Sequence, residues 1–131
     1  MRGLDTNLLV RYLTQDDARQ ARSVDALFRS ALAQKERLHI DAIVLCEIVW
    51  VLREAYKHDR QEVAQALEKI LEVALFSIED RDLVRQALEA YRSGRGDFAD
   101  HLIGLRNLKA GCTDTATFDR ALKDSPHHTL L

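Results

Sequence analysis

The feature that most constrains this chain is the alternation of short strand-like runs with helical periods. The runs are MRGL at 1–4, RLHID at 37–41, ALFSIED at 74–80, CTDTATFD at 112–119 and HHTLL at 127–131. Between them apolar residues recur at helical spacing, as at 18, 21, 24, 27, 28, 31 and 32, or at 63, 66, 67, 70 and 71. Strands separated by helices lie too far apart for hairpins. The pattern predicts an α/β domain with a mainly parallel sheet covered on both faces. The stretch DAIVLCEIVWVLREAYKH, beginning at Asp41, is the most apolar, and its length predicts a buried helix rather than a strand. Asp41 is read as its cap, and Thr6 as a candidate cap of the first helix, with Asp5, which could be only that cap, as the other.

At 131 residues, with 47% apolar and 31% charged, the chain reads as one folded domain over 1–131, with no repeat or linker. No apolar run reaches the roughly 18 residues a bilayer span needs. The start lacks the pattern of a secretory signal, so the cytoplasm is the expected compartment and no membrane partner is expected. Cys46 and Cys112 have no metal-ligand spacing and read as reduced thiols. A net charge of −2 does not suggest a binder that holds nucleic acid by phosphate neutralisation alone. A polyanionic substrate therefore requires a local basic rim, or a bound cation that reverses the sign of the site.

The carboxylates carry that second possibility. In open parallel sheets, ligands sit beyond the carboxyl ends of the strands, and Asp5 and Asp119 follow two such ends. Glu47 is the only charge within AIVLCEIVWVL. Burying it unpaired would cost several kcal/mol, so a salt bridge, a solvent-facing stripe or a functional site must account for it. Asp97 and Asp100 follow SGRG at a spacing of three, which suits helix capping and also places both on one face of a first turn. Two carboxylates about 4 Å apart repel by roughly 4 kcal/mol at an effective dielectric near 20. A cluster of them needs protons or a divalent cation, and oxygen ligands without His or Cys point to Mg²⁺ or Mn²⁺.

The segments LDTN, LCEI, DFADHLI and TFD, taken in that order along the chain, resemble the PIN-domain family, and within it the VapC-like toxins of toxin–antitoxin pairs. The resemblance implies a three-layer α/β/α sandwich around a central, mainly parallel sheet of about five strands. It implies a Mg²⁺- or Mn²⁺-dependent endoribonuclease with Asp5, Glu47, Asp100 and Asp119 as its acids. Asp97 matches an additional metal-site acid, and Thr6, Asn7 and Thr117 match supporting polar residues. In this chain the strand before the last acid carries Asp114 and three threonines where relatives are usually aliphatic. A homodimer and a small antitoxin partner are also implied.

In this reading Asp5, Asp100 and Asp119 hold the cation directly or through waters, while Glu47 either ligates a second ion or orients the attacking water. Arg95, Arg11, Arg53 and Lys57 are candidates for phosphate contact. Thr117 is placed to orient Asp119 through its hydroxyl. Two rivals stand beside it. A phosphatase with Asp5 as nucleophile lacks its usual second Asp, since Asn7 stands there. A catalytically inactive PIN-like module would bind only RNA or protein. Helices from the set formed by the first two and Val63–Leu71, which carry broad apolar stripes, are expected to form a dimer contact and an antitoxin groove. Leu9→Glu or Leu67→Glu would weaken association if those side chains face the groove rather than the core.

Overall fold

A computed structural model describes all 131 residues. The chain folds as alternating strands and helices in two compact units, Met1–Arg81 and Asp82–Leu131.

In the first unit, β1 (Arg2–Gly3), β2 (Leu38–Ile40) and β3 (Phe76–Ile78) form a parallel sheet in the order β1-β2-β3. Helices α1 (Thr6–Thr14) and α2 (Ala18–Ala33) make the first crossover, and α3 (Ala42–Glu54) and α4 (Arg60–Glu72) the second. Parallel neighbours require such crossovers. Leu9, Ile40, Ile48, Leu52, Ile70 and Phe76 are wholly shielded from solvent. Each such burial stabilises the unit by roughly 1.5–3 kcal/mol. The rings of Tyr12, Phe28 and Phe76 pack with centroids 5.1 to 5.9 Å apart and tie α1 and α2 to β3.

Each crossover starts on a carboxylate. Asp5, not Thr6, caps α1: its Oδ1 accepts from the Leu8 N–H at 2.9 Å, and Thr6 is the first helical residue. Asp41 caps α3 as expected, accepting from the Ile43 N–H at 2.6 Å. Glu79, just past β3, accepts from the Ala42 N–H at 2.8 Å. These bonds satisfy donors that a helix start leaves unpaired.

The expected groove is absent from α1 and α4. Leu9 and Leu67 are 0% and 1% exposed, because α1 packs on α2 and α3, and α3 packs on α4. Their stripes are core. The large apolar side chains that remain exposed in this unit beyond Met1 are Leu32 on α2 and Ile43 and Trp50 on α3.

The second unit comprises α5 (Arg81–Ser93) from Asp82 onward, α6 (Phe98–Lys109), β4 (Thr115–Thr117), a 3₁₀ turn (Arg120–Leu122) and β5 (His128–Leu130). β4 pairs in parallel with β5. The five expected strands are thus all present and every pairing is parallel, but hydrogen bonds join them as sheets of three and two. A Cβ at Gly104 would lie 2.7 Å from the His128 ring, so glycine there lets β5 approach α6. His128 also contacts the Asp100 carbonyl at 3.1 Å and the Ser125 hydroxyl at 2.7 Å. The polar character of β4 has a local cause. The strand is half-exposed, Thr115 accepts from the Asn107 amide at 2.8 Å, and Asp114 accepts from the Thr129 hydroxyl. Threonine supplies the β-branching that aliphatic residues would otherwise bring. No helix is long and apolar enough to cross a membrane.

Candidate active site

Leu4 is buried, and its N–H bonds the His39 carbonyl at 2.9 Å, so the chain leaves β1 at a fixed point. Asp5 follows immediately and is exposed. One of its oxygens is engaged by the cap. The Thr6 hydroxyl donates to Glu47 Oε1 at 3.2 Å, linking α1 to α3. Asp5, Thr6, Asn7, Glu47, Trp50 and Val51 line one cavity of about 440 Å³. Two of the four candidate acids, with two of the three supporting polar residues, therefore meet within the first unit.

α3 is largely buried, as expected, but Glu47 lies on its exposed side. α3 buries Leu45, Ile48, Val49 and Leu52, while Ile43, Glu47 and Trp50 face outward at helical spacing. The Glu47 carboxylate is solvated and held by Thr6, so no burial penalty attaches to it. Of the alternatives weighed for this residue, the solvent-facing stripe is the one realised, and that stripe opens onto the cavity.

The remaining acids belong to the second unit. Asp97 occupies the N-cap position of α6, but its side chain makes no cap hydrogen bond. Asp100 is half-buried in the first turn of that helix. Gly96 adopts φ +87°, and a Cβ there would also strike Leu122 at 2.5 Å, so only glycine serves in the turn before these acids. His101 is 5% exposed and contacts the Arg95 carbonyl at 2.7 Å, fixing the same loop. Asp119 caps the 3₁₀ turn by accepting from the Ala121 N–H at 2.9 Å. The Thr117 hydroxyl accepts from the Asp119 backbone N–H at 3.0 Å, so it fixes the main chain rather than the carboxylate. Neither unit by itself groups three or more His, Cys, Asp or Glu side chains placed to hold a metal ion.

The basic candidates differ in setting. Arg53 and Lys57 are exposed at and beyond the end of α3. Arg95 is exposed and lines a cavity of about 470 Å³ with Ser93, His101 and His127. Arg11 is held internally: it donates to Gln20 at 2.6 Å, Asp16 at 3.0 Å and the Tyr56 hydroxyl at 3.1 Å. The Tyr56 hydroxyl in turn donates to Asp16 at 2.7 Å. That bond, with help from Thr14 and Arg11, holds the Asp16 carboxyl below its ordinary range. A depressed carboxylate contributes stability above its unfolded pKa and loses it as pH falls through the lower folded value. Tyr56→Phe is therefore expected to move the Asp16 titration up toward an ordinary carboxylate and to weaken acid resistance. A carboxyl NMR titration unchanged by the substitution would remove Tyr56 as the cause.

The cavity of the first unit offers carboxylate, hydroxyl and amide oxygens and no His or Cys. That donor set fits a hard divalent cation such as Mg²⁺ or Mn²⁺ and not zinc. Of the two lining residues that sequence reasoning missed, Trp50 and Val51, the one with a chemistry to offer is Trp50. Its only signal was its place three residues after Glu47, hidden in a helix that is apolar almost all round.

An acid at the end of β1 and a second acid on α3 of the second crossover thus meet over one cavity in an α/β chain. The chain belongs to the PIN domain family, whose sequence profile matches residues 4–127. It is similar to the VapC ribonuclease of Aquifex aeolicus (strain VF5), with 28% identity over 123 residues that cover 94% of this chain and 90% of that protein.

Proposed function

We propose that this protein is a divalent-metal-dependent endoribonuclease acting as the toxin of a toxin–antitoxin pair. The observation that carries the reading is the convergence of Asp5 and Glu47 on one cavity, in a chain of the PIN family similar to a VapC ribonuclease. The reading treats residues 1–131 as one PIN-like domain, supported by a family match that continues through both units. Asp5 and Glu47 are the acids of the first unit. Asp97, Asp100 and Asp119 are the further candidate ligands, on the strength of their motifs.

Mg²⁺ or Mn²⁺ bound to such acids supplies charge neutralisation at the phosphate and acidification of the attacking water. The chain's own residues prepare that chemistry. The Leu8 N–H fixes one Asp5 oxygen. The Thr6 hydroxyl fixes one Glu47 oxygen, leaving the other to orient a water and to take its proton. Thr6 and Asn7 are positioning residues, and Thr117 secures the turn that carries Asp119. Arg95, Arg53 and Lys57 are candidate phosphate contacts at longer range. Arg11 belongs to that set only if it leaves its internal partners. A cytoplasmic homodimer blocked by an antitoxin completes the proposal.

Purified protein is expected to cut single-stranded RNA with Mg²⁺ or Mn²⁺ and to stop when EDTA is added. Glu47→Gln is expected to lower the rate by about 10²-fold or more, as loss of a general base does. Cleavage that continues in EDTA, or a fully active Glu47→Gln protein, refutes this assignment. Sedimentation with and without the product of the neighbouring reading frame tests the dimer and the antitoxin. A strictly monomeric protein that captures no such product overturns that part.

A further inference from the structure

We propose that Trp50 is the base-stacking residue of this site, holding a nucleobase of single-stranded RNA beside the phosphate that is cut; the inference rests on the ribonuclease reading above. Trp50 is 66% exposed although it sits in the most apolar helix of the chain. It lies one helical turn beyond Glu47 on the same outward stripe, and it lines the same cavity as Asp5 and Glu47. No other aromatic ring or cation packs on its indole. A large ring left in water next to a carboxylate pair calls for a ligand with both a flat apolar face and a charge.

A nucleotide has both. Its base would meet the indole, and its phosphate would lie on the side of Asp5 and Glu47, the acids that would hold a divalent cation. A purely apolar protein face fits less well, because Glu47 stands between Ile43 and Trp50 on the stripe. A dry interface without a basic side chain to pair it would bury that carboxylate at a cost of several kcal/mol. The cavity lining also contains no Lys or Arg, so the direct electrostatic hold on phosphate that dominates many complexes is missing from this wall. Stacking is what this wall offers, and it tolerates any base because every base has a π-face.

Trp50 is the only tryptophan of the chain, so its fluorescence reports this position alone. In stopped flow before turnover, a ten-nucleotide RNA is expected to quench it, and an abasic RNA of the same length is not. Trp50→Ala is expected to lower kcat/KM on RNA by about 5- to 150-fold, carried by KM with kcat nearly unchanged, since stacking acts equally in ground and transition states. Trp50→Tyr should retain most of the activity. Equal quenching by abasic RNA, or an unmoved KM in Trp50→Ala, overturns the proposal. So does a dimer that Trp50→Ala turns into a monomer while KM stays put, which would mark a protein contact instead. If the wild type cuts no RNA with either metal, the ribonuclease reading falls first. If it cuts RNA and Trp50→Ala cuts it equally well, only the stacking role is lost.

Discussion

Asp5→Asn is expected to fold like the wild type and to lose RNA cleavage by on the order of 10²- to 10³-fold, the effect of removing several kcal/mol of charge stabilisation at the phosphate. The substitution separates the two roles of this residue. Asparagine caps a helix about as well as aspartate, so the bond from the Leu8 N–H survives and the melting temperature should hardly move. What disappears is the negative charge over the cavity shared with Glu47. Asp41→Asn is the natural control. That carboxylate also caps a crossover helix but lies outside the cavity lining, so the control should keep full activity. An active Asp5→Asn protein would reduce Asp5 to a cap.

Leu9→Glu is expected to abolish folding of the first unit rather than to weaken association selectively. Leu9 is wholly shielded, and an unpaired carboxylate in its place costs several kcal/mol, against a total stability of about 5–15 kcal/mol for a typical protein. Leu9→Ala, which only opens a cavity, should lower stability by roughly 2–5 kcal/mol in urea titration. Leu67, 1% exposed on α4, should behave alike. A folded Leu9→Glu protein that merely fails to dimerise would return α1 to the role of a docking face.

The contrast between these two positions shows what the sequence made readable. Asp5 was legible because a polar residue between an apolar strand and an amphipathic helix must sit at a strand's carboxyl end. The cap of α1 was open between Asp5 and Thr6 because both are good caps. The strands were legible from their runs and spacing. Their division into sheets of three and two depends on pairings that no local pattern encodes.

The apolar stripes of α1 and α4 were visible, but their partners were not, since helix-to-helix packing is a long-range property. Glu47 shows the opposite problem. Its neighbours are apolar on every side, so the sequence carried no period that would reveal an outward stripe from Ile43 through Glu47 to Trp50. The same uniformity concealed Trp50. Asp97 occupies the capping position its motif suggested but does not cap with its side chain, whereas Asp119 at its strand end does cap the turn that follows.

Titration of Mn²⁺ into the wild type, Asp5→Asn and Glu47→Gln by calorimetry, without RNA, tests most directly whether this cavity is the metal centre. The wild type is expected to bind saturably. Each variant should bind at least about tenfold more weakly, as loss of a group that holds or orients an ion does. Indistinguishable Mn²⁺ binding by all three proteins would contradict the assignment of Asp5 and Glu47.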